Sequence, residues 1–302
     1  MTFALSALLA IALSAQPSAA RALAWQEQGE AALGARPGCL VALDPRDGRI
    51  LSLVRPDLAV RTAFPIGSLA KLVTALAASE AGLADGSRSF RCTGRFRSRR
   101  CWKAHGRLNL EGAIAESCSV AFMQLGQEVG GTRLVSTFRR SGFGSTTGSG
   151  MAGEADGRLP EPRSDLEVAD LACGDTAALR ATPMQVAVFV AALANGGTRY
   201  RPHPNAAVLS PIGRLPGARG LGWVWQGMRQ AVLAGTAQGA NLPRYSLFAK
   251  TGTAVHSGDP TRRNGWFAGF TPHLALVVYV PDGTGARAAV PVARRFLEAV
   301  PR

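Results

Sequence analysis

The stretch FPIGSLAKLVTALAASEAG, residues 64–82, sets a serine and a lysine three positions apart where an apolar helical pattern begins. Leu69, Leu72, Val73, Leu76 and Ala77 recur at the spacing of one helix face, and Gly82 follows as a stop signal. The pattern predicts a helix from Ser68 to about Glu80, with Ser68 at its N-terminus. Two readings of that serine stand side by side. A serine before an apolar helix is an ordinary cap. Residues i and i+3 also share a face, so Lys71 can accept the Ser68 proton, and the positive potential of a helix N-terminus favours the alkoxide of an attacking serine.

Lysine usage sharpens the question. The chain has 34 basic residues, of which Lys71, Lys103 and Lys250 are the only lysines, leaving 31 arginines. Arg stays protonated, whereas a desolvated Lys can shed its proton and act as a base. In so Arg-biased a chain, lysines mark places where a guanidinium cannot serve. Lys103 reads as a surface charge. Lys250 opens KTGTA inside a strand-like run, where Gly252 permits close approach of a substrate and Thr251 and Thr253 supply hydroxyls.

Outward from these positions, CLVALDPRDGRILSLVRPD from Cys39 reads as a hairpin. Residues 86–100 are polar, basic and Gly-containing and read as an irregular excursion. Helical patterns resume from Leu108 to Val129, and after Thr182, which caps a helix with Pro183 in its first turn and Asn195-Gly196-Gly197 at its end. An amphipathic stretch near Trp223 to Ala234 precedes three strand-like runs, SLFAKTGTA from Ser246, GWFAGF from Gly265 and LALVVYV from Leu274. A final helix follows from about Pro291 to Val300. Two strands early and three late predict an α+β fold: a five-stranded antiparallel sheet built from both chain ends, with flanking helices and an inserted all-helical lobe. The sheet lobe covers about 23–66 and 205–302, the helical lobe about 67–204.

The motif set S-x-x-K and K-T-G, with Ser117-Cys118-Ser119 between them in the place of S-D-N, is that of penicillin-binding proteins and serine β-lactamases. The chain resembles the transpeptidase domain of class B penicillin-binding proteins, of the elongation type. VALDPRDGRILSLV is similar to the family's opening hairpin, FPIGSLAK to its nucleophile helix, HGRLNLEGAIAESCSVAFMQLG to its middle element and ATPMQVAVFVAALANGG to the helix that follows. GMRQAVLAGTA, FAKTGTA and NGWFAGFTP are similar to its C-terminal part.

The resemblance implies that Ser68 is acylated by the D-Ala-D-Ala end of a peptidoglycan stem peptide, or by a β-lactam that mimics it, with Lys71 as general base. Ser117 would relay a proton to the leaving amine, and Lys250, Thr251 and Thr253 would hold the substrate carboxylate. The N–H groups of Ser68 and Thr253 would form an oxyanion hole. Ser119 stands where the family has Asn or Asp, with a shorter reach toward Lys71 and the substrate amide. The family's Gly-Gln-Gly is replaced by CGDTAALR, and only about 45 residues separate a predicted signal peptide at residues 1–22 from Ser68, which leaves no room for a pedestal domain. A class D-like β-lactamase and a non-catalytic penicillin-binding or wall-sensing module are the alternatives.

Cys92, Cys101, His105 and Cys118 form C-x8-C-x3-H-x12-C, a set suited to tetrahedral zinc. CWKAHGRLNL…ESC is similar to elongation-type relatives in which Asp, Asp, His and Cys ligate a metal. A Cys92–Cys101 disulfide and free thiols are the alternatives. Cys39 and Cys173 read as buried small hydrophobes.

At the N-terminus, MTFALSALLAIALSAQPSAARA carries an apolar run and small residues placed for signal-peptidase cleavage. It predicts a signal peptide over residues 1–22, or, if uncleaved, a membrane-associated anchor. Export argues against nucleic acid as the counter-surface for the net charge of +14, as do the scattered arginines, which form no stripe with interleaved aromatics. Anionic lipid or cell-wall polymer, and a wall- or membrane-associated protein, are the expected partners.

Overall fold

In this computed structural model the described residues are 22–84, 88–204, 209–256 and 259–300. The predicted signal segment therefore lies outside the described residues, save for residue 22. The expected five-stranded antiparallel sheet is present, in the order Phe248–His256, Asp259–Thr271, Leu274–Pro281, Cys39–Leu43, Ile50–Val54. Its centre reads as nearly unbroken apolar sequence, CLVAL beside LALVVYVP, because both faces are covered.

The two-residue period of a strand sorts those side chains into two cores. Val41, Leu43, Val277 and Tyr279 face the helical lobe. Leu40, Ala42, Leu276 and Val278 face the terminal helices, packing with Phe296 and Leu297 of helix Val290–Ala299 and with Trp25 of the helix over residues 22–33. The sheet is thus the middle layer of three.

Helix Ala70–Glu80 lies at the centre of the helical lobe and is buried nearly all round. Helix Pro183–Ala194 starts as expected, with Thr182 and Gln185 forming a reciprocal capping box. Helix Leu221–Leu233 follows in sequence from the sheet side yet packs on the helical lobe. Gly227 lies so close that a Cβ there would fall 2.6 Å from Ile114 Cβ. No described helix is long and apolar enough to cross a membrane.

Three local expectations need correction. Ser68 is not a cap: it sits in a 3-10 turn, Gly67–Leu69, and its side chain makes no capping bond. The segment from Leu108 to Val129 is not one helix. It comprises a strand, Gly106–Asn109, then helices Leu110–Ala115 and Ser119–Val129, separated where Ser117 adopts a left-handed φ of 53°. Nor is the excursion after residue 86 irregular where it is described. Ser89–Cys92 pairs with Gly106–Asn109, and Arg95–Phe96 with Arg99–Arg100, because Phe90 and Cys92 alternate inward between exposed neighbours.

Candidate active site

The nucleophile turn is pinned between two glycine contacts. A Cβ at Gly67, whose φ is 54°, would lie 2.6 Å from the Thr253 carbonyl oxygen, and one at Gly252 would lie 2.9 Å from that of Ile66. Gly252 therefore admits the chain's own nucleophile segment, where sequence reasoning assigned the space to substrate. Trp266, fully buried, donates from Nε1 to the Pro65 carbonyl at 2.9 Å and fixes the same segment from the neighbouring strand.

Lys71, in the first helical turn after Ser68, is 1% exposed, and its Nζ lies 2.8 Å from Ser68 Oγ. It also lies 2.9 Å from the Ser117 carbonyl and 3.2 Å from each of Ser117 Oγ and Ser119 Oγ. Ser119 thus reaches Lys71 despite being shorter than Asn, since its helix starts close beside it. Lys250 Nζ, wholly buried, lies 2.8 Å from Ser117 Oγ on the other side and donates to the Thr251 carbonyl at 2.8 Å. The left-handed turn at Ser117 is what throws its hydroxyl between the two amines.

Among the described residues neither lysine has a carboxylate partner. Burial pushes Lys71 below its ordinary value, and burial together with the Lys71 charge pushes Lys250 well below. Two ammonium groups sharing one hydroxyl in a desolvated site repel, so the pair holds its protons less tightly than two exposed lysines would.

These groups open on a cavity of about 840 Å³, lined by Ser68, Ser117, Ser119, Thr251 and Thr253. The Thr251 hydroxyl donates to Thr236 Oγ1 at 2.7 Å, and Thr253 Oγ1 accepts the Gly285 N–H at 3.2 Å. Sequence reasoning missed Thr236, although it lies in GMRQAVLAGTA; a hydroxyl 14 residues before Lys250 carries no spacing signal of its own. It also missed Asp175 and Arg100, which line the cavity from the CGDT segment and the excursion.

One wall holds the thiol cluster. The ligand atoms of Cys92, Cys101, His105 and Cys118 all lie within 4.8 Å of one another. His105 Nδ1 is 3.4 Å from Cys92 Sγ and 3.6 Å from Cys101 Sγ. Tetrahedral zinc, with bonds of about 2.3 Å to sulfur and 2.0 Å to nitrogen, separates its ligand atoms by roughly 3.5 to 3.8 Å, so the donor set fits the ion. His105 Nε2 lies 4.0 Å from the Glu116 carboxylate, where a ligating histidine usually finds an outer partner. All five cysteines are free, Cys92 and Cys101 among them. The Cys118 thiol and nearby backbone N–H groups pull Cys101 down, while its hydrogen-bond partner Cys118 is pushed up. Cys101 Sγ accepts the Ser119 N–H at 3.2 Å, so the cluster holds the start of the helix that carries Ser119.

Residues 38–298 match the family described as penicillin binding protein transpeptidase domain. The chain is 28% identical to the peptidoglycan D,D-transpeptidase MrdA of Acinetobacter baumannii, over 87% of this chain and 50% of that protein. It thus spans about half the length of the curated relatives it matches. Among solved structures it is similar to PBP2 of Pseudomonas aeruginosa in complex with WCK 5153, with a TM-score of 0.82 at 28% identity, covering 91% of this chain and 76% of that one. A chain from a peptidoglycan synthase complex gives a TM-score of 0.81 at 26% identity, covering 92% and 61%.

Proposed function

This chain belongs to the penicillin binding protein transpeptidase domain family, and from that membership we propose that it is an exported serine D,D-transpeptidase acting on peptidoglycan stem peptides and acylated by β-lactams. The observation that carries the reading is the chain Ser68, Lys71, Ser117, Lys250, linked by contacts of 2.8, 3.2 and 2.8 Å. It is a proton path with a nucleophile at one end and a cation at the other.

The substrate carboxylate docks against Lys250 and the hydroxyls of Thr251 and Thr253. Its negative charge holds the proton on Lys250, and repulsion through Ser117 then favours neutral Lys71. Neutral Lys71 takes the Ser68 proton as Oγ bonds to the penultimate D-Ala carbonyl carbon. The N–H groups of Ser68 and Thr253 stabilise the oxyanion, a contribution typically worth about 3 kcal/mol. As the C–N bond breaks, the proton passes from Lys71 through Ser117 to the departing amine. An acceptor amine then attacks the ester, and its proton returns along the same path to Ser68. With water in place of the amine the same steps give D,D-carboxypeptidase activity.

A zinc ion on Cys92, Cys101, His105 and Cys118 belongs to the same reading. It would supply rigidity to the wall that carries Ser119, while the proton path stays with the serines and lysines. Likeness to a chain of a peptidoglycan synthase complex supports a wall- or membrane-associated protein partner.

Fluorescent penicillin followed by mass spectrometry tests the proposal. A lasting adduct on Ser68, abolished in Ser68→Ala, together with cross-linking of stem peptides is the expected result. Rapid release of hydrolysed antibiotic would instead assign a class D-like β-lactamase. A lasting adduct without stem-peptide turnover would assign a sensing module.

A further inference from the structure

Residues 88–107 contain eight lysines and arginines and no acidic residue. The fold sorts these cations into two sets. Arg97 pairs with Asp165 at 3.1 Å, Arg99 takes Asp170 in a two-point contact at 2.6 and 2.5 Å, Lys103 pairs with Glu116 at 2.7 Å, and Arg88 pairs with Glu128. Arg91, Arg95, Arg100 and Arg107 are exposed and form no ion pair among the described residues.

Strand register makes the second set informative. Arg91 stands directly opposite Arg107, and Arg95 directly opposite Arg100. Like charges at directly opposed positions are destabilising, and here the arrangement occurs twice, on either side of the thiol cluster. Phe90 and Cys92 take the inner face of their strand, so Arg91 points to solvent. Arg91 and Arg95 are four residues apart, which limits their α-carbons to about 14 Å. Two uncompensated cation pairs at that separation match an extended anion better than a single small one.

We infer that this face docks a polycarboxylate wall polymer, an uncross-linked glycan strand whose repeated stem peptides each present carboxylates. Charge complementarity supplies the attraction, and continuity with the cleft identifies the polymer, because Arg100 lines the cavity that contains Ser68. A bilayer surface fits less well. Membrane adsorption combines charge with buried apolar area, and of the exposed large hydrophobics Leu23, Trp102, Leu209 and Leu233, only Trp102 lies in this segment. The identity of the polymer rests on the stem-peptide reading of the cleft; the anionic character of the ligand does not.

The test uses Ser68→Ala protein, so that covalent capture contributes nothing and failure of docking is separate from failure of acylation. Binding to purified uncross-linked strands is measured at low and high salt for this parent and for a version with Arg91, Arg95 and Arg107 changed to Gln. A matched control carries Gln at the exposed Arg36, Arg133 and Arg219. Expected are strand binding by the parent that fades at high salt, about tenfold weaker binding by the first variant, and little change in the control. Strands with amidated carboxylates should not bind. Lys at the three positions should restore binding, which separates lost charge from lost fold. Equal binding by variant and parent, an equal loss in the control, or binding to anionic phospholipid vesicles in place of strands would each overturn the inference.

Discussion

Two groups of cations in this chain lack a carboxylate partner among the described residues, and solvation sets them apart. Lys71 and Lys250 are buried, bridged by Ser117 and surrounded by hydroxyls and carbonyls. Arg91, Arg95, Arg100 and Arg107 stand in water, opposed in pairs across short strands. A buried ammonium answers desolvation by losing its proton, which makes a base. An exposed guanidinium keeps its charge and makes an anion-binding surface. The same deficit of carboxylates thus yields chemistry inside and attraction outside, and two of the three lysines stand where proton loss is useful, the third, Lys103, being a surface charge paired with Glu116.

The largest break in this comparison should come from Ser117→Ala. Removing the hydroxyl takes away the bridge between the amines and the route to the leaving nitrogen. General acid–base steps contribute about 10² to 10⁴ in rate, so acylation, followed as second-order adduct formation with penicillin, should slow within that range. Strand docking should be untouched. A variant acylated at the parental rate would remove Ser117 from the proton path.

Much of the inner group was legible beforehand. Ser68, Lys71 and Lys250 stood out through spacing and through the rarity of lysine, and the strand-like apolar runs CLVAL and LALVVYV supported the sheet. What was not legible is tertiary. Periodicity joins Leu108 to Val129 into one helix, since nothing in ESCS announces a left-handed serine. Thr236 meets Thr251 only after the Leu221–Leu233 helix has returned the chain to the strand edge. The outer group was missed for a different reason. Seen in sequence, its arginines are scattered; only the pairing of residues 89–92 with 106–109 sets Arg91 against Arg107.

The cluster between the two groups ties them together, and its disruption ranks next. If zinc is held at a free concentration a thousandfold above its dissociation constant, it stabilises by about 4 kcal/mol, or roughly 10 °C in Tm for a chain of this size. Chelation or Cys118→Ser should remove that increment, with bound zinc read by elemental analysis. Protein purified without chelator that contains no zinc, and whose Tm ignores chelation, would leave the cluster as hydrogen-bonded thiols.

The pH dependence of stability separates the two groups more finely. Both lysines have folded values depressed below 10.5, so between the folded value and 10.5 the unfolded chain binds more protons. Stability contributed by this pair therefore rises with pH through that window and falls as pH drops toward the folded values. The slope is at most about 1.4 kcal/mol per pH unit for each lysine. Buried thiols titrate in the same range with the opposite sign, Cys173 being pushed up to about 12. The useful quantity is accordingly the difference between wild type and a Lys71→Met, Lys250→Met variant in urea midpoints from pH 7 to 10.5. Wild type should gain on the variant as pH rises, and a constant difference would mean the lysines titrate normally.

The smallest effect probes the outer group where stability and docking diverge. Arg107→Glu replaces a like-charged cross-strand pair with Arg91 by an attractive one, in a setting where such pairs are worth only a fraction of a kcal/mol. Tm should rise by roughly one to three degrees at low salt, and the gain should shrink as salt screens the pair. Binding to glycan strands should weaken over the same salt range, because one cation has been lost and a second neutralised. Opposite signs in the two measurements are the signature of charges retained for a ligand at a cost to the fold. If Arg107→Glu lowers Tm, the opposed arginines are not repelling one another, and the register that singles them out carries no information about a partner.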